Sequence, residues 1–505
     1  MGITDNRNTY ICPHCLKRFK YSDIWFKCTS YQEDSAIRHD DVLRVLNSRG
    51  DNLSDEKRSE RREKARLIKE SDNMYAKLAR LNPFPNNILF AAPKSDRIED
   101  DPKKKAIKKC CAEAIFKASR ETCGKSYDPE RIPATAQCPY CESRSAATVH
   151  VCPNPNCHEI IKINPDEEQI VVALAGAKSN GKTVFLASLL FDISNRLSQI
   201  ATAWVPQFNA VARDLINKYY EFLKDGRPLD PTSNQQSEAA IVYFNKGGKR
   251  YSFIFYDVSG ENFVSEGVEE GGKRIEDTKQ FCFPDFVIFL TEPRSHRGIH
   301  NLVNKSPLVD DEYKTIFKNG GSLTGVDDEK SVIIATAAST VFTTRELILE
   351  SIAGNPDTAE DYERLINEKL PIPMAVCLSK SDTFSRAFSE DNKPAFLKDS
   401  YLAGESNGNM NYTTFRQSFT ERSNSLRAYF ENEWNEANFP AQVDACFGES
   451  VFIALSATGE PKKIESQYDC EPFNVIDPFV WILSHIDERI FDRPGTNGGL
   501  GQIRF

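Results

Sequence analysis

A glycine-rich segment between two apolar runs constrains the fold of this chain more than any other feature. Residues 176–183 read GAKSNGKT: glycine, four residues, then Gly-Lys-Thr. The preceding run QIVVALA predicts a buried strand, and the following run predicts a helix. The apolar residues of that helix recur at helical spacing: Leu186, Leu189, Leu190, Ile193 and Leu197. A strand, such a loop and a helix in this order predict a phosphate-binding turn, because loop and helix amides point at phosphate oxygens.

The residues of this loop predict contacts with a nucleoside triphosphate. Lys182 would reach the β- and γ-phosphates, and the hydroxyl of Thr183 would ligate Mg²⁺. The predicted nucleotide-binding residues of the loop are Gly176, Ala177, Lys178, Ser179, Asn180, Gly181, Lys182 and Thr183.

Composition excludes several classes of protein. With 505 residues, of which 40% are hydrophobic and 27% charged, the chain predicts a soluble protein of several domains. The net charge of −9 argues against nonspecific nucleic-acid binding by the whole chain. No apolar run reaches the roughly eighteen residues of a membrane span, and the first residues lack a signal-peptide core. We therefore expect a cytoplasmic protein without a membrane partner.

From Ile170 onward, short apolar runs alternate with helical patterns. AAIVYF and RYSFIFYD, joined by NKGGK, predict a β-hairpin, and FPDFVIFLT, PIPMAVCLSK and SVFIALSA predict further buried strands. The expected fold is a doubly wound α/β sheet with one antiparallel strand, preceded by a small zinc-binding α+β region. The expected domains are a cysteine-rich region with a charged helical insert (1–165), the sheet domain with a helical insertion near 291–370 (166–490), and a flexible tail (491–505).

Three further motifs follow predicted strands and extend the nucleotide site. Asp257 would hold Mg²⁺, and Gly260 would let a backbone N–H approach the γ-phosphate. In LSKSD, Lys380 would lay its stem along the base, and Asp382 would accept two hydrogen bonds that guanine offers and adenine does not. A backbone amide at Ser456–Ala457 would meet the guanine O6.

These motifs carry a resemblance to a known family. GAKSNGKT, DVSG, SKSD and LSA, with a hairpin before DVSG, resemble the motif series of translation-factor-related (TRAFAC) P-loop GTPases. With ICPHC, WFKCT, CPYC and CPNPNCH, the chain more narrowly resembles bacterial "double-GTPase" proteins of conflict or defence operons. The resemblance implies a switch that binds and hydrolyses GTP, uses Mg²⁺ and Zn²⁺, and acts on a protein partner or an operon-encoded second GTPase.

The same resemblance implies a catalytic set of Lys182, Thr232 and Glu261. Many relatives of this class carry Gln where Glu261 stands, and a carboxylate there would orient water but repel the γ-phosphate. Thr232 is the expected switch hydroxyl and Ser233 the next candidate, and Arg227 in the same loop is a candidate for an arginine that acts in cis, although a solvated loop arginine is the favoured interpretation. Without an assigned arginine finger, slow intrinsic hydrolysis is expected.

Cysteines concentrate near the start of the chain, where ten of the 14 precede His158. In a chain without an export signal, this clustering predicts metal binding instead of disulfides. The pairs Cys138–Cys141 and Cys152–Cys157 have the spacing of two knuckles that together bind one Zn²⁺ as a zinc ribbon. His158 is an alternative ligand beside the second pair.

A second zinc site is expected at Cys12, Cys15, Cys28 and His39. Its fourth ligand stays open, with Cys123, Cys110 and Cys111 as alternatives to the histidine. The zinc region would serve as a module that docks a partner. The remaining cysteines are expected to be structural thiols: Cys282, Cys377, Cys446 and Cys470.

Two alternative functions are compatible with the motifs. One is an ATP-dependent NTPase that acts on nucleic acid through the zinc region. The other is a scaffold that binds nucleotide with little turnover, as Glu261 would allow. A preference for guanine over adenine separates the first alternative from a GTPase, and measurable hydrolysis separates the second.

Overall fold

In a computed structural model, the chain divides into two units: a smaller one, Arg7–Pro165, and a larger one that contains Asp166–Phe505. Each unit is described by itself. The structure describes residues 9–15, 17–27, 115–117, 123, 136, 149–154, 157, 159–161, 163, 167–177, 180–201, 203–225, 239–256, 284–318, 337–353, 359–398, 412–459, 462–464, 467–469 and 472–487.

Short antiparallel strands build the smaller unit. Their bounds are β1 Thr9–Ile11, β2 Arg18–Lys20, β3 Trp25–Lys27, β4 Ile115–Lys117, β5 Val149–Val151 and β6 Ile160–Ile161. β1 and β2 form a hairpin, and the other four pair in the order β4-β3-β5-β6. The described core is small and includes Cys12, Cys123 and Cys152 among its apolar side chains. A bound metal ion would therefore add materially to its stability.

A seven-stranded sheet organises the larger unit, in the order β13-β12-β11-β7-β10-β9-β8. Its strands are β7 Glu167–Ala175, β8 Pro206–Phe208, β9 Ala240–Lys246, β10 Lys249–Tyr256, β11 Phe286–Thr291, β12 Met374–Leu378 and β13 Ser450–Ala454. The pairs from β13 to β10 are parallel, and β9 alone runs against the rest of this sheet. The prediction of a mostly parallel sheet with one antiparallel hairpin strand is confirmed.

The hairpin turns on Gly247 and Gly248, whose φ values are +59° and +80°. Both residues lie in the left-handed region, which is the requirement of a type I′ turn and the reason for two glycines. Beyond this hairpin, a second one is formed by β14 Lys462–Ile464 and β15 Gln467–Asp469.

Helices cover both faces of the large sheet. They are α1 Lys182–Ile200, α2 Ala210–Asp225, α3 Arg297–Lys305, α4 Asp311–Lys318, α5 Ala337–Ala353, α6 Ala359–Leu365, α7 Asp382–Ser385, α8 Tyr412–Ala428, α9 Asn438–Cys446 and α10 Asp477–Ile486. None of the helices in the described part of the chain has the length and apolar character to cross a bilayer.

Strand alternation divides the interior of the larger unit into two cores. Val172 and Leu174 of β7 face a core completed by α1 and α10, whereas Ala173 and Ala175 face a core completed by α3, α5 and α9. This period of two is the reason why β7 reads as a continuous apolar run. All five apolar residues predicted for α1 are buried, as their spacing required.

Several strands and helices were not predicted from the sequence patterns. The edge strand β8 has three residues and pairs only with β9 among the described strands. The helices α2, α8 and α9 were not predicted from the sequence. Four described helices, α3 to α6, lie between β11 and β12.

Candidate nucleotide-binding site and candidate metal centre

The glycine-rich loop joins β7 to α1 and needs glycine at its first position. Gly176 has a φ of +139°, and a Cβ atom there would lie 2.3 Å from the carbonyl oxygen of Leu290. The Nδ2 atom of Asn180 donates to the same carbonyl at 2.7 Å, so the loop is fixed against β11. Gly181 is the N-cap of α1 with left-handed backbone and no side-chain cap. The backbone N–H groups at this helix end are therefore suited to an anion.

Lys182 lies over this loop with only 7% of its surface exposed. Its Nζ atom donates to the carbonyl oxygens of Gly176 and Ala177 at 2.8 and 3.0 Å. A largely buried ammonium among neutral carbonyls favours an anionic ligand, which would compensate its lost hydration. Thr183, the expected Mg²⁺ ligand, follows in the first turn of α1 and is half-buried. The position and the donor type therefore fit the predicted phosphate and metal contacts.

The turn that the sequence predicts to meet the base, residues 379–382, follows β12 and is fixed by its two serines; it is called the base-binding turn for this prediction. The Ser379 hydroxyl donates within 3.0 Å of two carbonyl oxygens, those of Asn180 and Thr291. Its backbone N–H donates to Thr291 as well, at 2.8 Å. Ser381 donates from its hydroxyl to the carbonyl of Leu378 at 2.7 Å. The turn is thus attached to the glycine-rich loop on one side and to β11 on the other.

Lys380 adopts a left-handed backbone conformation, with a φ of +52°. This conformation costs a non-glycine residue about 1–2 kcal/mol and is concentrated at functional sites. The Cε atom of Lys380 lies 4.0 Å from the point that a Cβ would occupy on Gly181. Only a side chain added at Gly181 would reach Lys380, so the contact between the base-binding turn and the glycine-rich loop is the hydrogen bond from Ser379 to Asn180.

Glu292 is a site residue that the motifs do not include. It follows β11, is 7% exposed, and accepts a hydrogen bond from the Nζ atom of Lys380 at 2.8 Å. Arg294 donates to the same carboxylate at 3.0 Å. The available signal was its place directly after a buried parallel strand, the same place that marks the predicted loops.

The third loop follows β13 and contains Ser456 and Ala457. Ser456 and Phe473 exchange two backbone hydrogen bonds, of 2.9 and 2.8 Å. The carbonyl oxygen of Ala457 accepts from the hydroxyls of Ser188, at 3.3 Å, and Tyr219. Because the Ser456 amide is used internally, the amide expected to face a base is that of Ala457.

All these loops leave the carboxyl ends of parallel strands. β10 and β11 lie on opposite sides of β7, so the glycine-rich loop marks the point where the strand order reverses. Ligands of open α/β sheets bind in the crevice outside this point. The loops after β7, β11 and β12 contact one another, and the loop after β13 contacts α1 and α2.

The other predicted nucleotide-site residues lie outside the described residues and stay predictions. These are Lys178, Ser179, Arg227, Thr232, Ser233, Asp257, Gly260 and Glu261. Of the three predicted catalytic residues, the structure therefore describes only Lys182.

Four cysteines of the smaller unit come together: Cys12, Cys15, Cys152 and Cys157. Their sulfur atoms all lie within 4.8 Å of one another, with Sγ–Sγ distances of 3.8 Å (Cys12–Cys157) and 3.6 Å (Cys15–Cys152). Four thiolates around a tetrahedral Zn²⁺ at about 2.3 Å would be separated by about 3.8 Å. The group therefore fits a zinc ion with four thiolate ligands.

This grouping differs from the expected one. The sequence spacing predicted one zinc site from Cys152–Cys157 and Cys138–Cys141, and a second from Cys12, Cys15, Cys28 and His39. In the structure, the Cys152–Cys157 knuckle instead forms one group with the Cys12–Cys15 knuckle. The physical reason is that β3 and β5 pair antiparallel and bring the two distant knuckles side by side. The remaining ligand candidates of the sequence lie outside the described residues: Cys28, His39, Cys110, Cys111, Cys138, Cys141 and His158.

Three further cysteines have described surroundings. Cys123 lies in the small core and is not one of the four clustered ligands. Cys377 and Cys446 are buried in the larger unit, and burial raises the pKa of the Cys377 thiol well above its ordinary value. A thiol that stays protonated and buried has a structural role. Cys282 and Cys470 lie outside the described residues.

Comparisons with known proteins give the following findings. No protein-family model matches the chain, and no curated protein matches its sequence. Among solved structures, the chain is similar to a nucleolar GTP-binding protein 1 from Plasmodium falciparum, with 12% identity, a TM-score of 0.19, and coverage of 58% of this chain and 79% of that one. It is also similar to the GTP-bound Ski7 GTPase-like domain of S. cerevisiae, with 13% identity, a TM-score of 0.23, and coverage of 65% and 51%.

Proposed function

We propose that this protein is a regulatory switch that binds and hydrolyses GTP. The contact between the base-binding turn and the glycine-rich loop carries the proposal, because the Ser379 hydroxyl donates to the carbonyl oxygen of Asn180 at 3.0 Å. A nucleotide whose phosphates occupy the loop would then place its base beside the turn. Asp382 begins α7 within that turn, and its carboxylate is complementary to guanine and not to adenine.

Each residue of the proposed site has a chemical task. Lys182 neutralises charge on the β- and γ-phosphates, and Thr183 and Asp257 hold Mg²⁺, which supplies further neutralisation of the triphosphate. Glu261 and Thr232 would position the attacking water and order the switch loop around the γ-phosphate. Because a carboxylate at Glu261 also repels that phosphate, the proposed intrinsic turnover is slow.

The proposed cellular role follows the narrower resemblance. The cytoplasmic protein would act in a bacterial conflict or defence system, where its nucleotide state is communicated to a protein partner or to an operon-encoded second GTPase. The zinc-binding unit would be the docking module, and the four-cysteine group, a closed type of site that is structural, would hold this module folded.

Nucleotide titration tests the proposal directly. Calorimetry of the full-length protein with Mg²⁺ should show GTP and GDP binding at least about 100-fold tighter than ATP, as expected when buried polar groups read the base. Lys182→Ala should abolish binding and phosphate release. Its control is Lys218→Ala on α2, a lysine that is 48% exposed and pairs with Asp214.

Three results would overturn the proposal in different ways. Equal affinity for GTP and ATP removes the guanine site. ATP preference combined with salt-sensitive nucleic-acid binding favours an ATP-dependent NTPase. Tight GTP binding without hydrolysis favours a nucleotide-binding scaffold. Hydrolysis counts only if Lys182→Ala abolishes the release of phosphate.

A further inference from the structure

A buried Thr–His–Glu chain lies beside the base-binding turn and belongs to none of the sequence motifs. The Nε2 atom of His296 lies 2.8 Å from the Thr291 hydroxyl, and its Nδ1 atom lies 2.6 Å from a carboxylate oxygen of Glu436. The other Glu436 oxygen accepts the backbone N–H of Gly298 at 2.9 Å. His296 is fully buried and Thr291 is 1% exposed. The carboxylate therefore fixes the imidazole with both of its oxygens occupied.

The hydrogen bond between His296 and Glu436 has a defined donor. Burial alone would raise the pKa of Glu436, but hydrogen bonds from His296 and from the backbone of Gly298 and Arg297 outweigh it and hold the pKa below its ordinary value. An ionised carboxylate only accepts, so the Nδ1 atom of His296 carries a proton. The Nε2 atom shares the second hydrogen bond with the Thr291 hydroxyl, which fixes the rotamer of that residue.

A specialised backbone brings Glu436 to this place. It follows a π-helical turn, Tyr429–Glu433, and a left-handed residue, Asn435, with a φ of +55°. The rings of Phe430 and Phe439 lie 4.9 and 5.2 Å from the imidazole of His296. π-Helical turns are rare and concentrate at functional sites, and this one directs an acidic side chain into an aromatic surrounding.

The chain ends on the base-binding turn. Thr291 receives two hydrogen bonds on its carbonyl oxygen, from the backbone N–H of Ser379 at 2.8 Å and from its hydroxyl at 3.0 Å. We propose that the Thr291–His296–Glu436 chain positions the base-binding turn, so that helix α9 and the π-helical turn set the affinity for the guanine base without touching it. This inference rests on the proposed GTP site.

Because the Thr291–His296–Glu436 chain is buried, Thr291 cannot be a nucleophile with His296 as its general base. A threonine hydroxyl acting on a substrate needs access to it, and the exposed fractions of Thr291 and His296 leave none. The chain therefore acts through Ser379, as a set of positioning residues.

The test compares variants that keep or remove the hydrogen bonds. Thr291→Val keeps the shape and removes the hydroxyl, whereas Thr291→Ser keeps the hydroxyl. Glu436→Gln removes the charge at a side chain that is 19% exposed, so it provides a second variant if Thr291→Val fails to fold. The matched control is Glu449→Gln, whose carboxylate lies 3.3 Å from His485 in an exposed pair of the same residue types.

Binding of GTP and of inorganic tripolyphosphate is measured by calorimetry. If each substitution reduces to about one tenth the fraction of molecules whose base-binding turn is in the binding conformation, Thr291→Val and Glu436→Gln should each bind GTP about tenfold more weakly. Tripolyphosphate contacts the glycine-rich loop alone, so both variants should bind it with the affinity of wild type. Thr291→Ser and Glu449→Gln should bind GTP with an affinity within about twofold of wild type.

The outcomes separate this inference from the proposed function. Loss of GTP affinity with unchanged tripolyphosphate affinity supports the positioning role. Equal losses for both ligands, or wild-type GTP affinity in both Thr291→Val and Glu436→Gln, overturn it while the GTP site stands. A wild-type protein that binds tripolyphosphate but not GTP overturns the proposed function and this inference with it.

Discussion

Asp192 makes the stability of the larger unit depend on pH. It lies in α1, the helix that carries Lys182, and only 5% of its surface is exposed. Burial raises the pKa of Asp192 from 3.8 to about 6; the nearby Asp477 adds to the shift, and Arg196, at 3.2 Å, opposes it. The folded larger unit therefore favours the protonated, neutral form of the Asp192 carboxyl group.

The size and sign of the effect follow from the two pKa values. A carboxyl whose folded-state pKa is raised favours folding only while it is protonated. Its contribution is complete below the unfolded value of 3.8 and is lost as the pH rises through about 6. A shift of about two units, at 1.36 kcal/mol each, means that ionised Asp192 costs about 3 kcal/mol at neutral pH and above.

Asp192→Asn removes the titration while keeping the shape of the side chain. We expect the free energy of unfolding at about pH 8 to rise by up to ~3 kcal/mol over wild type, and the difference to vanish near pH 4. Urea unfolding followed by the fluorescence of buried Trp204 measures it. The control is Asp214→Asn, which removes an exposed partner of Lys218 at the same i,i+4 spacing and should change stability by less than ~0.5 kcal/mol.

A constant difference between Asp192→Asn and wild type from about pH 4 to 8 would refute this reasoning, since only a titrating group makes the difference vary. Destabilisation by Asp192→Asn at pH 8 would equally contradict it, because it would mean that the Arg196 pair outweighs burial.

Three further predictions concern the two sites. Gly176→Ala should abolish GTP binding and cost about 1–3 kcal/mol of stability, because its methyl group would meet a β11 carbonyl oxygen, whereas Gly247→Ala, with open space around it, should leave nucleotide binding unchanged in the same titration. Asp382→Asn should weaken GTP binding by roughly 100-fold and improve binding of xanthosine triphosphate, whose C2 carbonyl accepts from the new amide; unchanged selectivity would contradict the base contact. Cys152→Ser should lower the zinc content by one ion per chain in native mass spectrometry, whereas Cys446→Ser should not, and equal zinc in both variants would exclude the four-cysteine site.

Local patterns were sufficient to predict the frame of the larger unit. The strand–loop–helix order around Gly176 and the glycine turn at Gly247 each involve neighbours in sequence, so propensity and spacing determine them. Spacing likewise identified the buried face of α1, because residues on one face recur with the period of the helix.

Pairings between distant residues could not be predicted in the same way. Glu292 and Lys380 lie 88 positions apart, and His296 and Glu436 lie 140 apart. A periodic pattern indicates which face is buried, but it does not identify the partner across the core. The cysteine knuckles illustrate the same limit, because Cys15 meets Cys152 at a separation of 137 positions while nearer pairs were expected.

The strand pairing of the smaller unit makes it a host for inserted sequence. Lys27 at the end of β3 lies opposite Ile115 of β4, so the stretch 28–114 leaves and rejoins the sheet at paired positions. The entropy cost of closing such a loop grows only logarithmically with its length, by about 0.6 kcal/mol for each doubling. Evolution can therefore lengthen, shorten or exchange this stretch at little cost to the cysteine centre, and a reporter domain inserted between Lys27 and Ile115 would be tolerated for the same reason.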